Sequence, residues 1–360
     1  MRLLISLRPK ILWCLIVCTF FTLFRGPLSW NDIAAFSLTP RASLQKQILV
    51  VPCDDSYFDL VMNSLLCWNN IRGAAAIEAF RLFCLSETCC ERASSLGLKT
   101  LGIDQTGNIY EMFLMHRIGY LRRERNAYLD DLMYTRDHLL SHLLYEGFSV
   151  FQADADSCFV EDPFILFEEN ELDLLISAQP CQNIHPLWCN DYGCPGESNL
   201  PVMTLNGGIA YFSGVEPMAS FVARGAGHGM KISTSPNFLE RDGFGQKGFN
   251  EEARISGFCF NSTEESANRI WTGKPLFSDP ALGNLNVGIF SVCSPCGDMA
   301  SCEHALAVHS NCSPTLEAKK TFMQQKGVWF LADDWKERAF SLNASRPEDK
   351  LEEVLRVIHK

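Results

Sequence analysis

Positive charge is in short supply in this chain of 360 residues. Lysine and arginine number 31 against 42 aspartates and glutamates, for a formal net charge of −11 at pH 7. Such a balance offers no general attraction to a phosphate backbone, which argues against a nucleic-acid binder. An anionic ligand would have to be met locally, by a few gathered cations or by a metal. Long low-complexity runs and internal repeats are absent too, and charged residues make up only 20% against 47% hydrophobic. That profile excludes collagen, coiled coil and disordered chains, and leaves a folded globular protein of one large or two small domains.

Acidic residues are missing altogether before Asp32. Arg2, Arg8 and Lys10 precede the uncharged run Ile11–Phe24, in which Thr19 and Thr22 are the polar exceptions. A basic flank ahead of an apolar segment inserts with its positive end in the cytosol. The run falls short of the ~20 residues that a span needs, so a signal anchor over residues 11–30 and a cleaved signal peptide both fit. Either would deliver residues 31–360 to an oxidising compartment. The anchor reading gives a cytoplasmic tail at 1–10, a short stem at 31–46, a main domain at 47–340 and a C-terminal amphipathic helix at 341–360.

The cysteines agree with that compartment. Cys14 and Cys18 lie in the apolar run, and the rest form an even-numbered set in which disulfides are the default. Cys181, Cys189 and Cys194 look like one stapled loop, and Cys293, Cys296, Cys302 and Cys312 like another. A zinc reading of Cys293-x-x-Cys296 with Cys302 and His304 is the alternative, but no second well-spaced pair completes it. Sequons at Asn261, Asn311 and Asn343 fit a lumenal location.

Along the chain, strands alternate with helices. Gln47–Pro52 is a β-branched run with the look of a buried strand, and residues 57–72 carry helical spacing. Strands are predicted at Ala79–Cys84 and Thr100–Ile103. From Thr135 a helix places Leu139, Leu140, Leu143 and Leu144 on one face, with Gly147 positioned to end it. Strands at 148–152 and Leu172–Ala178, a loop at 179–200, a glycine pair leading into a strand within Thr204–Ser213, and a helix at 215–226 follow. Ser345 and Glu348 fit a capping box before Leu351, Val354, Leu355 and Ile358, which share a helical face. The class is α/β, with a mostly parallel sheet flanked by helices.

The segment that carries chemistry is Phe151-Gln-Ala-Asp-Ala-Asp-Ser-Cys-Phe-Val-Glu-Asp-Pro-Phe164. It sets Asp154 and Asp156 two apart at the C-terminal end of a strand, the end where open α/β sheets bind ligands. If the strand persists, both side chains point the same way. Two carboxylates can then hold Mn²⁺ or Mg²⁺, which bridges protein oxygen to phosphate oxygen. By that route an acidic protein receives a diphosphate.

Five segments, in order, resemble the nucleotide-diphospho-sugar transferase domain of single-pass Golgi glycosyltransferases. The likeness covers roughly residues 47–335. The stretch QILVVPCDDSYFDLVMNSLLCW resembles the opening strand and helix of that domain. Tyr134-Thr-Arg136, with the helix running into GFSVFQADADSCFVEDPF, resembles its metal segment. Leu205-Asn-Gly-Gly-Ile-Ala-Tyr-Phe212 is similar to its N-x-G turn, and Gln246-Lys-Gly-Phe-Asn250 to its D-Q-x-x-[FL]-N helix. His309-Ser-Asn311 with Lys319-Lys320 and Gly327-Val-Trp329 is similar to its closing H-x-N…K segment.

The resemblance implies a GT-A fold, a Rossmann-like mixed and mostly parallel sheet, in a retaining, plant-xylosyltransferase-like group of type II Golgi enzymes. It implies Asp154, Asp156 and His309 as metal ligands, with Mn²⁺ or Mg²⁺ the cofactor. Arg136, Asp154, Asn206, Gly207, Gly208 and Lys319 would bind the nucleotide sugar, with Lys320 equally placed for the lysine. Gln246 would sit beneath the anomeric carbon, with Asn206 also at the catalytic centre. The pattern's Asp before this Gln is replaced by Gly245, with Asp242 the nearest carboxylate. Asn311 is both a sequon residue and a candidate for the pocket.

The function implied is transfer of a sugar, with retention, from a nucleoside-diphosphate donor such as a uridine-diphosphate sugar to a hydroxyl of a glycan or glycoprotein. The location implied is the Golgi membrane through the N-terminal anchor, with secretion the alternative. Rival readings are a disulfide-rich lumenal binding module with structural Ca²⁺ on Asp154 and Asp156, a transferase fold that has lost catalysis, and a metal phosphoesterase. The last would want more His and Asp ligands.

Overall fold

Hydrophobic alternation along the strands divides one sheet into two faces, each with its own core. A computed structural model describes residues 47–101, 136–137, 139–164, 171–180, 203–234, 244–260, 264–265, 270–273, 275–276, 282, 285–295, 302, 305–342 and 347–359. They belong to one compact unit, Leu44–Lys360. The first strands are β1 (Gln47–Cys53), β2 (Phe80–Cys84), β3 (Thr100–Leu101), β4 (Ser149–Ala153), β5 (Ser157–Phe159), β6 (Leu174–Pro180) and β7 (Met203–Phe212). Then come β8 (Cys259–Phe260), β9 (Glu264–Glu265), β10 (Ile270–Gly273), β11 (Pro275–Leu276), β12 (Val287–Cys293) and β13 (Ala307–His309).

The sheet runs β3-β2-β1-β4-β7-β6-β12-β10-β9. Strands β3, β2, β1 and β4 are parallel, as are β6 and β12, while β7 runs antiparallel between β4 and β6. Leu49 and Val51 of β1, Phe151 of β4, Leu175 of β6, Ile209 of β7 and Phe290 of β12 point into one core. Their neighbours Ile48, Val50, Val150, Ile176, Ala210 and Ile289 point into the other. Successive side chains of a strand face opposite ways, so burial on both sides demands near-continuous apolar runs. This is why QILVVP reads as it does.

Helices cover both faces. Phe58–Arg72 packs Leu60, Val61, Leu65 and Trp68 into the first core. The predicted C-terminal helix, Pro347–Ile358, adds Leu351, Val354, Leu355 and Ile358 to that same core. The second face is covered by residues 136–137 and 139–145, with Leu139, Leu140, Leu143 and Leu144 all buried, and by Glu216–Thr234 and Phe244–Ile255. Gly147 has φ of 80°, the left-handed conformation expected after a helix.

Two expectations need correction. The glycine pair of Thr204–Ser213 does not precede a strand but lies inside β7. Pairing with β6 jumps there from Ile176/Ala210 to Ser177/Asn206, which leaves Gly207–Ile209 unmatched on β6 and pushed out as a bulge. The zinc reading also fails, because Cys293 is joined to Cys302 in a disulfide that closes the segment between β12 and β13. Cys53–Cys89, Cys67–Cys158 and Cys84–Cys90 are disulfides too, and Cys259 and Cys312 are disulfide-bonded.

The N-terminal apolar run, Cys181, Cys189, Cys194, Cys296, His304, Asp242 and the sequons at Asn261 and Asn343 lie outside the described residues. So do Tyr134, Thr135, Ser345 and the mixed stretch at 108–124. Among the described residues, no helix is long and apolar enough to cross a membrane.

Candidate metal centre

The site grows from the end of β4. The strand stops at Ala153, and the chain turns at once, with Ser157 donating from both its backbone N–H (3.1 Å) and its Oγ (2.6 Å) to the carbonyl of Asp154. Asp154 and Asp156 therefore converge through a tight turn and not, as the sequence suggested, through alternation along a continuing strand. The next strand, β5, pairs antiparallel with β13, and that ladder sets His309 opposite Ser157. About 150 residues of separation are closed by three rungs of sheet.

The result is a cluster of opposite charges. His309 Nε2 lies 3.3 Å from Asp156 Oδ1 and 3.6 Å from Asp154 Oδ2. Lys319, on the helix Leu316–Gln325, brings its ammonium onto Asp156 Oδ2 and to 3.2 Å from the carbonyl of Ser310. Ser310 also holds Asp156 in place, donating its backbone N–H to the Asp156 carbonyl at 3.0 Å. Arg136 reaches Asp154 at 3.1 Å with Nη1 and Asp137 at 3.2 Å with Nε. The counter-anion sought for Arg136 is thus supplied within the protein. Lys320 is not equivalent to Lys319. It pairs with the exposed Asp333 and lies over the Trp329 ring, away from the cluster.

Burial sets the electrostatics. Burial opposes a proton on His309, but the Asp156 charge, with Asp154 behind it, lifts its pKa to about 9. Burial would raise Asp156, yet His309 and Lys319 hold its carboxyl well below the usual range. Burial raises Asp137 to about 6 against the pull of Arg136, with the charge of Asp154 adding to the rise. A histidine raised above its ordinary value of 6.5 contributes stability that is complete below that pH and lost on the way to about 9. Metal-free protein is therefore expected to lose up to about 3 kcal/mol between those limits. Chemical denaturation in chelator at a series of pH values checks it, and His309→Gln should flatten that part of the profile.

The glycine pair of β7 sits against the cluster. Asn206 Oδ1 accepts from the N–H of Gly208 at 2.8 Å, and Gln152 Nε2 donates to the carbonyl of Gly207 at 2.5 Å. A Cβ at Gly208 would fall 2.5 Å from Asp154 Oδ2 and 2.7 Å from His309 Cε1, so nothing larger than glycine fits. Asn250 grips both backbone groups of Leu205, at 3.0 and 2.8 Å, and so fixes the helix Phe244–Ile255 to β7. Gln246 lies on that helix, in its first turn; its side chain is outside the description. Asn311 accepts through Oδ1 from Ser294 Oγ at 2.7 Å, beside the disulfide-bonded Cys312.

Asp154, Asp156 and His309 each offer one ligand atom, all within 4.8 Å of one another. Both ring nitrogens of the buried His309 lack a hydrogen-bond partner among the described residues. A buried imidazole left so, facing two carboxylates, suits a divalent cation. The residues present therefore fit the ion. Ser310, Gln152 and the gripping role of Asn250 escaped the sequence reading. A glutamine amid the apolar residues of β4 was the one visible sign.

The carboxyl end of β4 thus carries a charged cluster that could hold a cation, beside a pair of glycines. The chain belongs to the nucleotide-diphospho-sugar transferase family, whose model matches residues 123–323, more than half of its length. The fold is similar to mouse xyloside xylosyltransferase 1 in its apo form (10% identity, TM-score 0.45, 74% of this chain and 98% of that one). It is similar also to the galactosyltransferase LgtC in complex with donor and acceptor sugar analogs (12%, TM-score 0.42, 80% and 99%). A third likeness is core-mannan synthase A of Aspergillus fumigatus in its Mn/GDP form (8%, TM-score 0.37, 61% and 72%). No curated protein matches the sequence.

Proposed function

We propose that the protein transfers a sugar, with retention, from a uridine-diphosphate donor to a hydroxyl of a glycan or glycoprotein, and that it needs Mn²⁺ or Mg²⁺ to do so. The observation that carries this reading is the convergence of Asp154, Asp156 and His309, with both nitrogens of the buried histidine lacking a hydrogen-bond partner. Those three residues would hold the cation, which when bound supplies positive charge against the diphosphate.

The remaining roles fall to side chains. Lys319, already at the cluster's edge, adds a point charge for the leaving phosphate, stabilising charge that develops in the transition state. Arg136 holds Asp154 in place and faces the sugar from the side of Gly207, whose Cβ position is 3.8 Å from the guanidinium. The backbone of Gly207 and Gly208 lets the donor approach, and the amide of Asn206 meets its hydroxyls. Gln246 would steady the anomeric carbon without charge, and Gly245 before it supplies no carboxylate to help. The acceptor hydroxyl attacks from the face that the phosphate leaves, and that phosphate takes the proton.

In this reading the enzyme is a type II Golgi membrane protein with its catalytic domain in the lumen. The disulfides at Cys53–Cys89, Cys67–Cys158, Cys84–Cys90 and Cys293–Cys302 support an oxidising compartment. A panel of sugar nucleotides incubated with the protein and Mn²⁺ tests the activity. Release of uridine diphosphate from one donor, abolished by chelator, is expected. No hydrolysis from any donor, with nucleotide still bound, would point to a transferase fold without turnover.

A further inference from the structure

The helix Phe58–Arg72 contributes no member to the charged cluster, yet it is bonded to the chain on both sides of it. Asn63, fully buried, donates Nδ2 to the carbonyl of Val328 at 3.0 Å and accepts the N–H of Phe330 at 2.7 Å. That clamp closes on the segment directly after the helix Leu316–Gln325, which leaves through Gly327 with its Val328 N–H bonded back to Met323. The same helix carries Lys319. One turn beyond Asn63, Cys67 is tied by its disulfide to Cys158, two residues after Asp156. At the helix end, Arg72 pairs with Asp162 at 3.0 Å. This one helix thus holds the segment that follows the lysine's helix, through Asn63, and the chain that follows Asp156 at two points, Cys158 and Asp162.

From this geometry we infer that Asn63 is a positioning residue. It sets the helix of Lys319 at the height that puts the ammonium on Asp156. An amide suits the task because it carries a donor and an acceptor on separate atoms, for a carbonyl and an N–H two residues apart; a leucine has neither, and a serine has both on one short hydroxyl. A buried lysine on a buried carboxylate needs such support, since its attraction repays desolvation only if the geometry is held. The inference rests on Lys319 acting at the proposed donor site.

The test reads Lys319 directly and needs no nucleotide. Pulse labelling with an acetylating reagent, read by tandem mass spectrometry, compares Lys319, whose side chain is 10% exposed, with the exposed Lys99 just before β3. Wild type should label slowly at Lys319. Asn63→Ala should speed that labelling about 10-fold, the factor for one lost buried hydrogen-bond clamp, and leave Lys99 unchanged. A uniform rise at both lysines, or no change at Lys319, overturns the inference.

Asn63→Ser keeps one short hydroxyl that cannot serve both Val328 and Phe330, and buries no charge. It should give a smaller gain at Lys319, and serves if the alanine variant does not fold; no gain there counts against the proposal. A second arm titrates uridine diphosphate in Mn²⁺. Asn63→Ala should weaken binding in the Lys319 background and not in Lys319→Ala, whereas equal weakening in both contradicts a role through the lysine. Selective labelling with no nucleotide bound by wild type keeps the positioning role and sinks the donor reading instead.

Discussion

Asp156→Asn is expected to lower uridine-diphosphate affinity in Mn²⁺ by more than about 100-fold, since removal of a direct ligand takes metal affinity and diphosphate binding together. The amide is the informative change. Asp156 accepts the ammonium of Lys319 and stands 3.3 Å from the imidazole of His309. Alanine would leave buried positive charge without its partner, at a cost of about 3–5 kcal/mol, and a failed fold would then hide the effect on the site. Asparagine preserves the volume and one acceptor. Calorimetric titration of the folded variant with nucleotide, with and without Mn²⁺, gives the answer. Affinity equal to wild type would remove Asp156 from the metal site.

The second large effect comes from a residue with no side chain. Gly208→Ala is expected to cut Mn²⁺ affinity on the order of 100-fold. Its new methyl would fall at 2.5 Å from Asp154 Oδ2 and 2.7 Å from His309 Cε1, so a ligand carboxylate or the imidazole must move. Gly207→Ala is the control. There the methyl meets the ring of Phe249 at 3.3 Å, a contact that a small ring shift relieves. Metal titration of both variants should separate them clearly. Equal affinities would mean that the pocket between Asp154 and His309 is not where the cation binds.

The sequence named the members of the cluster but not their geometry. Asp154, Asp156 and His309 do converge, the acidic pair picked out by its place after a strand and the histidine by the resemblance alone. The turn at Asp154 was not, since apolar spacing does not say where a strand stops. Lys319 and Lys320 are adjacent, and a helix points adjacent residues in different directions, so only the packed structure tells them apart. The bulge at Gly207–Ile209 arises from pairing between β6 and β7, which no local pattern encodes. Disulfide pairing was equally hidden, because even a fully paired set allows many connectivities. By contrast, β1, the leucine face of residues 139–144 and the C-terminal helix were legible because burial on a sheet or helix face leaves a periodic trace.

The measurement that bears most directly on the central claim is anomalous diffraction at the manganese edge from crystals grown with Mn²⁺ and uridine diphosphate. One strong peak is expected within ~2.3 Å of an Asp156 carboxylate oxygen and of His309 Nε2, with the diphosphate on its open side. A peak elsewhere, or nucleotide bound with no metal between those two residues, would contradict it.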